Sequence, residues 1–139
     1  MARIKLTPPG KILFRTKVPV RITDLNYGNH LGNDALVSIL HEARVQWLKS
    51  GGFTELNAGG TGLIMADLAV EYKAEGFYGD ELAVAIGVDD ISKLSFDIYY
   101  TITNQQGKLV AQAKTGIVCY DYEKKKVAEM GALLKEFLS

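Results

Sequence analysis

One stripe of apolar residues at helical spacing, Leu36, Ile39, Leu40, Ala43 and Trp47, stands in a chain whose other apolar residues mostly alternate. Recurrence at every third or fourth residue puts that stripe on one face of a helix, expected over Ala35 to Lys49. Gly51-Gly52 ends it, because glycine accepts the left-handed backbone that a helix C-terminus often needs. With only one long helix available, the apolar side of a sheet has only one helical partner. The economical arrangement is α+β: one strand, the helix, then four antiparallel strands that wrap the helix with one sheet face. The other face, or an exposed edge strand, then needs a partner, so a homo-oligomer is expected, a dimer or a dimer of dimers.

The alternation defines the strands. Pro8-Pro9-Gly10 breaks the chain and leaves an arm or short edge strand before it. From Ile12 to Ile22 the chain reads as extended, with Ile12, Phe14, Thr16, Val18 and Val20 opposite Arg15, Lys17 and Arg21. Pro19 lacks a donor and points to an edge or an irregularity. After the helix, Asn57 to Gly62 reads as a flexible loop, since it lacks the lysine of a phosphate cradle and opens into strand. Four segments follow: Ile64, Ala66, Leu68, Val70 and Tyr72 on one face; Leu82, Val84, Ile86 and Val88; Leu94, Phe96, Ile98, Tyr100 and Ile102; and Leu109 to Tyr122, apolar on both faces. Asn104-Gln105-Gln106-Gly107 makes a hairpin connection. Glu123 to Lys126 reads as a solvated turn, and Ala132, Leu133, Leu134, Phe137 and Leu138 as a short terminal helix. The 139 residues, 47% hydrophobic, fit a single domain over 1–139.

Charge narrows the function classes. Sixteen basic residues balance 16 acidic ones, which argues against a nucleic-acid partner. The single cysteine, Cys119, sits in an apolar run and reads as a buried structural thiol in a reducing compartment. Two histidines with no thiolate cluster give no metal-ligand spacing, so neither metal nor cofactor is expected. No apolar run reaches membrane-spanning or signal-peptide length, so a cytoplasmic protein with no membrane partner is expected.

Polar chemistry concentrates just before the helix. Asp24 to Asp34 holds two aspartates, three asparagines, Tyr27 and His30 within eleven residues. Asn33 or Asp34 is expected to cap the helix. Free first-turn N–H groups and the helix dipole favour negative charge at such an entry, which makes it the candidate site.

Three stretches in order, Arg21-Ile22-Thr23-Asp24-Leu25-Asn26-Tyr27-Gly28-Asn29-His30-Leu31-Gly32-Asn33, Leu40-His41-Glu42-Ala43-Arg44-Val45-Gln46-Trp47-Leu48 and Tyr72-Lys73-Ala74-Glu75-Gly76-Phe77-Tyr78-Gly79-Asp80-Glu81-Leu82, resemble the hotdog-fold thioesterases, specifically the 4-hydroxybenzoyl-CoA thioesterase-like family. The resemblance covers Lys17 to Tyr122 and implies a five-stranded antiparallel sheet around one central helix. It also implies hydrolysis of an acyl-CoA or acyl-carrier thioester, with a helix-entry amide polarising the carbonyl. By position that donor is the Asn33 N–H, with Gly32 beside it permitting close approach. The dehydratase pattern of the same fold is missing, since the helix entry contains no proline.

The sequence departs from the family at one important place. Where one branch carries D-x-D with a catalytic second aspartate, this chain has Asp24-Leu25-Asn26. An amide can hydrogen-bond a water or an oxyanion but cannot act as a carboxylate nucleophile or base. Glu42, nine residues into the helix after Asn33 and roughly 13 Å along its axis, is the leading replacement, because another branch places its base there, facing across a dimer. Asp24 is a second candidate catalytic carboxylate, with bracing of the turn the stronger reading. Asp67, mid-strand, marks a polar pocket, a buried pair or simply a polar sheet face. His30 can orient a water or donate to the carbonyl, or hold the turn shut. Tyr27, Gly32 and Asp67 are candidate substrate contacts. Lys73, Lys93 and Arg44 are candidates for the coenzyme phosphates by charge and rough placement. A relative that binds an acyl thioester without hydrolysing it is the alternative that Asn26 raises.

Overall fold

The computed structural model describes residues 1–139. Its elements are β1 (Phe14–Pro19), a 3-10 turn (Ile22–Asp24), α1 (Asn33–Ser50), β2 (Gly62–Tyr72), β3 (Glu81–Asp89), β4 (Ser95–Thr103), β5 (Leu109–Asp121), β6 (Lys126–Val127) and α2 (Ala132–Phe137). The sheet is antiparallel in the order β1-β3-β4-β5-β2, with the two-residue β6 appended to β5. This is the expected α+β hotdog arrangement, with β1 and β2 at the edges.

The expected stripe is the core of α1: Leu36, Ile39, Leu40, Ala43 and Trp47 are buried, together with Arg44 and Leu48. Leu82, Val84 and Ile86 of β3 and Phe96, Ile98, Tyr100 and Ile102 of β4 meet that stripe from the sheet. The helix starts two residues earlier than expected. Gly32, not Asn33 or Asp34, is the N-cap, and no side chain caps the end. Asp24 fixes this start, because its carbonyl accepts the Gly32 N–H at 2.9 Å. Asp34 therefore falls in the first turn, where its carboxylate complements the dipole. Gly52 adopts φ +80° just past the C-terminus, as the glycine pair implied.

Two strand readings shift. Ile22, expected to end the first strand, lies in the 3-10 turn and is exposed. In β2 the register slips between Met65 and Asp67, where two residue steps oppose the single step from Ile117 to Gly116. A bulge reverses the alternation. Leu63 and Met65 therefore share the helix-side face with Leu68, Val70 and Tyr72, while Ile64 turns outward. α1 packs against β1 and β3, which leaves the flank toward β2 open. Met65, Leu68 and Tyr72 are accordingly exposed on the helix side of that edge strand. On the outer face the N-terminal arm is irregular: Pro9 Cγ lies where a Cβ on Gly87 would sit, 2.9 Å away, and the Leu6 N–H donates to Glu71. No helix is long and apolar enough to cross a membrane.

Candidate active site

The turn before α1 is closed by its own side chains. Asn26 Oδ1 accepts the N–H groups of Gly28 (2.9 Å) and His30 (3.2 Å), and the Asn26 N–H donates to the His30 carbonyl at 2.8 Å. Asn29 takes φ +62°, a conformation asparagine tolerates better than most residues. Asp24 is buried and braces the turn as expected, accepting the Arg21 N–H at 2.8 Å and its guanidinium at 3.4 Å. Leu31 then ties the turn to the β2–β3 connection, its N–H donating to the Gly76 carbonyl at 2.8 Å.

These bonds shape a cavity of about 360 Å³ at the head of α1, lined by Asn26, His30, Leu31, Gly32, Asn33 and Leu36 on one side and Tyr72 to Gly76 with Val110 on the other. The Gly32 N–H is taken by Asp24 and the Leu36 N–H by the Gly32 carbonyl, but the Asn33 N–H has no acceptor within the protein. It is one of the orphan donors of a helix start, and it belongs to a residue that lines the cavity. The space beside Gly32 is in use: a Cβ there would come within 2.7 Å of Asp34 Oδ1.

Three side chains from the Tyr72–Gly76 segment complete the site. His30 Nε2 lies 3.5 Å from Glu75 Oε2, and the ring meets Phe77 edge-on at 5.3 Å. A neutral ring with its Nε2–H toward Glu75 would offer Nδ1 as an acceptor. Tyr72 Oη donates to the Asn33 carbonyl at 3.4 Å. Burial, then the Asp34 carboxylate, pushes the Tyr72 hydroxyl above its ordinary value, which keeps it a protonated donor at neutral pH. Lys73 also lines the cavity, with its ammonium 3.1 Å from Glu71.

Other expected site residues lie elsewhere in the protomer. Glu42 lines a separate concavity between α1 and β1, with Lys17, Arg21, Ser38 and Gln46, and accepts from Gln46 Nε2 at 2.6 Å. Helical geometry explains the separation, because each residue step turns about 100° around the axis and carries Glu42 away from the β2 flank. Tyr27 is fully exposed and does not line the cavity. Asp67 sits on the outer sheet face, accepting from Lys114 Nζ (2.9 and 3.0 Å) and the Gly116 N–H (2.8 Å). β4 begins at the end of the sheet remote from Val110, about 27 Å away by strand rise, and Lys93 lies beyond that end. Arg44 is buried and donates to Tyr100 Oη at 3.0 Å, so it is not a phosphate contact at a pocket mouth. Cys119 is buried, and that burial raises its thiol, in keeping with a structural role.

Glu75 and Tyr72 are the site residues that sequence reasoning missed. Both belong to the third family-like stretch, but neither spacing nor residue type distinguishes them from surface positions. Their role depends on a chain reversal that brings Gly76 against Leu31.

The chain's relatives share its fold. Residues 20–138 match the family model of the thioesterase-like superfamily, and the chain belongs to that superfamily. Among solved structures it resembles a 1,4-dihydroxy-2-naphthoyl-CoA thioesterase from Synechocystis, at 22% identity over 90% of this chain and 94% of that one, with a TM-score of 0.82. A DHNA-CoA thioesterase from Staphylococcus aureus shares 22% identity over 83% of this chain and 78% of its own, with a TM-score of 0.75. A further Staphylococcus aureus protein, solved in complex with CoA, matches 98% of this chain and 85% of its own at 13% identity and a TM-score of 0.83. No curated protein matches the sequence.

Proposed function

We propose that this protein hydrolyses acyl thioesters of coenzyme A, or of an acyl carrier, in the cavity at the head of α1. The observation that carries this reading is the unbonded Asn33 N–H in a cavity that His30 and Glu75 also line. The donor is positioned before the substrate arrives, so it can stabilise the developing oxyanion without reorganisation. His30 Nδ1 accepts a proton from a water whose oxygen attacks the carbonyl carbon, while Glu75 holds the ring and balances the imidazolium. The C–S bond then breaks, and the leaving thiolate takes that proton back. Asn26 contributes the shape of the turn rather than a base.

Glu42 is the rival source of the base. It lines the other flank of α1, so it reaches this cavity only from a second copy of the chain. The exposed helix-side residues of edge strand β2 support such an assembly, at least a homodimer. A second reading, a protein that binds acyl thioesters without turning them over, is favoured by the commitment of Asn26 Oδ1 to two backbone donors. A panel of short, medium and aromatic acyl-CoAs with a thiol-trapping dye separates the two. Released thiol supports hydrolysis; measurable binding with no thiol establishes the binder.

A further inference from the structure

A second cavity, of about 260 Å³, lies further along α1 on the same open flank. Leu36 lines the first cavity and Val37 the second; Tyr72 lines the first and Leu68, on the same face of β2, the second. Its walls are apolar at Val37, Leu40, Met65 and Leu68, but its far end is not. There, Arg44 is 6% exposed, and its buried Nε has no hydrogen-bond partner. Nη1 donates to Tyr100 Oη (3.0 Å), which shares a hydrogen bond with Thr115 Oγ1 (2.8 Å). The nearest carboxylate, Glu55, is drawn toward His41, with Oε1 2.6 Å from His41 Nε2, and its Oε2 remains 3.7 Å from Arg44 Nε.

A guanidinium has five N–H donors, and Nη1 alone makes a hydrogen bond within the protein. An arginine held in this way at the end of an apolar cavity is suited to an oxygen acceptor arriving from that cavity. We propose that the second cavity takes the distal part of the acyl group and that Arg44 selects acyl groups ending in an oxygen acceptor, a hydroxyl or a carboxylate. The inference rests on the thioesterase reading, since it places the carbonyl at Asn33. Eleven residues separate Asn33 from Arg44, about 16 Å along the axis, and an arginine side chain leans back toward the helix N-terminus. The remaining span suits an acyl chain of about eight carbons.

The test compares octanoyl-CoA, 8-hydroxyoctanoyl-CoA and suberoyl-CoA, reading thiol release for turnover and calorimetric Kd, on non-hydrolysable thioether analogues, for selection. At least one oxygen-ended ligand is expected to bind about 10-fold tighter than the plain chain, the scale of a hydrogen bond to a charged group. Which one does so separates hydroxyl from carboxylate. Arg44→Met should bring that ratio to about one, and Arg44→Lys, which keeps a cation, should retain part of it. The ratio does not depend on the fraction of folded protein. An equal or greater affinity for octanoyl-CoA in the wild type, or an unchanged ratio in Arg44→Met, overturns the inference. If Arg44→Met does not fold, an unchanged ratio in Arg44→Lys overturns it. Binding with the expected selection but no thiol release overturns hydrolysis alone and leaves this site standing.

Discussion

Leu31 and Gly76 are in contact across the cavity: the Leu31 N–H donates to the Gly76 carbonyl at 2.8 Å, and a Cβ on Gly76 would come within 2.9 Å of Leu31 Cβ. This contact is what brings the turn before α1 and the Glu75 segment together. Gly76→Ala should therefore push Leu31 off its seat, costing about 1–3 kcal/mol as overpacking does. Turnover should fall with it, because the same displacement moves Glu75 from His30. Thermal melting and steady-state kinetics on the same variant check both parts. A variant as stable and as active as the wild type would show that this contact does not position the site.

The two carboxylates in question, Glu75 and Glu42, respond differently to substitution. Glu75→Gln should reduce kcat by about 10-fold or more by leaving the imidazolium unbalanced, whereas Glu42→Gln should leave kcat within about 3-fold if the base lies within the protomer; general-base assistance as a whole is worth about 10²–10⁴-fold. If a second copy supplies Glu42, the ranking reverses. Analytical ultracentrifugation of the wild type adds an independent check, since a monomer that remains active at assay concentration removes Glu42 from consideration.

Asn26 offers a sharper contrast. Asn26→Asp keeps a side-chain oxygen able to accept from Gly28 and His30, so the turn should survive. Asn26→Ala loses both bonds and should destabilise by about 1–2 kcal/mol. If His30 and Glu75 do the chemistry, Asn26→Asp should not raise kcat, because it adds a negative charge without supplying a missing step. A large gain in kcat would mean that the protein is a weakened relative of the aspartate-bearing enzymes.

On the outer face, Lys114, and after it the Gly116 N–H, hold the Asp67 carboxyl below its ordinary value. A group depressed in the folded state adds stability above its unfolded value, near pH 4, and loses that contribution as pH falls through the folded one. The wild type should therefore be more stable than Asp67→Asn at neutral pH, by less than about 1 kcal/mol for so exposed a pair, and melt at a higher temperature. The gap should narrow below about pH 4. A gap that widens on acidification would contradict this assignment.

Much of the fold was legible because burial imposes its own period. The α1 stripe and the β3 and β4 alternations each follow from contact with one apolar surface, and each falls where the sequence places it except at Leu94, which lies before β4 and is exposed. The helix start was misplaced because Gly32 is fixed by the distant Asp24 carbonyl rather than by a local cap. The face of Ile64 was misread because a bulge leaves no signature in hydrophobic alternation. At the site, Asn33, His30 and Lys73 were placed by the family-like turn and the segment that matches it. Glu42 and Arg44 show the limit of that approach, since neighbouring turns of one helix face different cavities.

Thioester hydrolysis beside the Asn33 amide, with His30 as the base, makes His30 the side chain on which turnover depends. The most direct measurement is kcat and KM of wild type and His30→Asn for the best acyl-CoA of the panel, with folding confirmed by circular dichroism. A fall in kcat of about 10²–10⁴-fold, with KM little changed, is expected for His30→Asn. Unchanged kcat in a folded His30→Asn variant would contradict it.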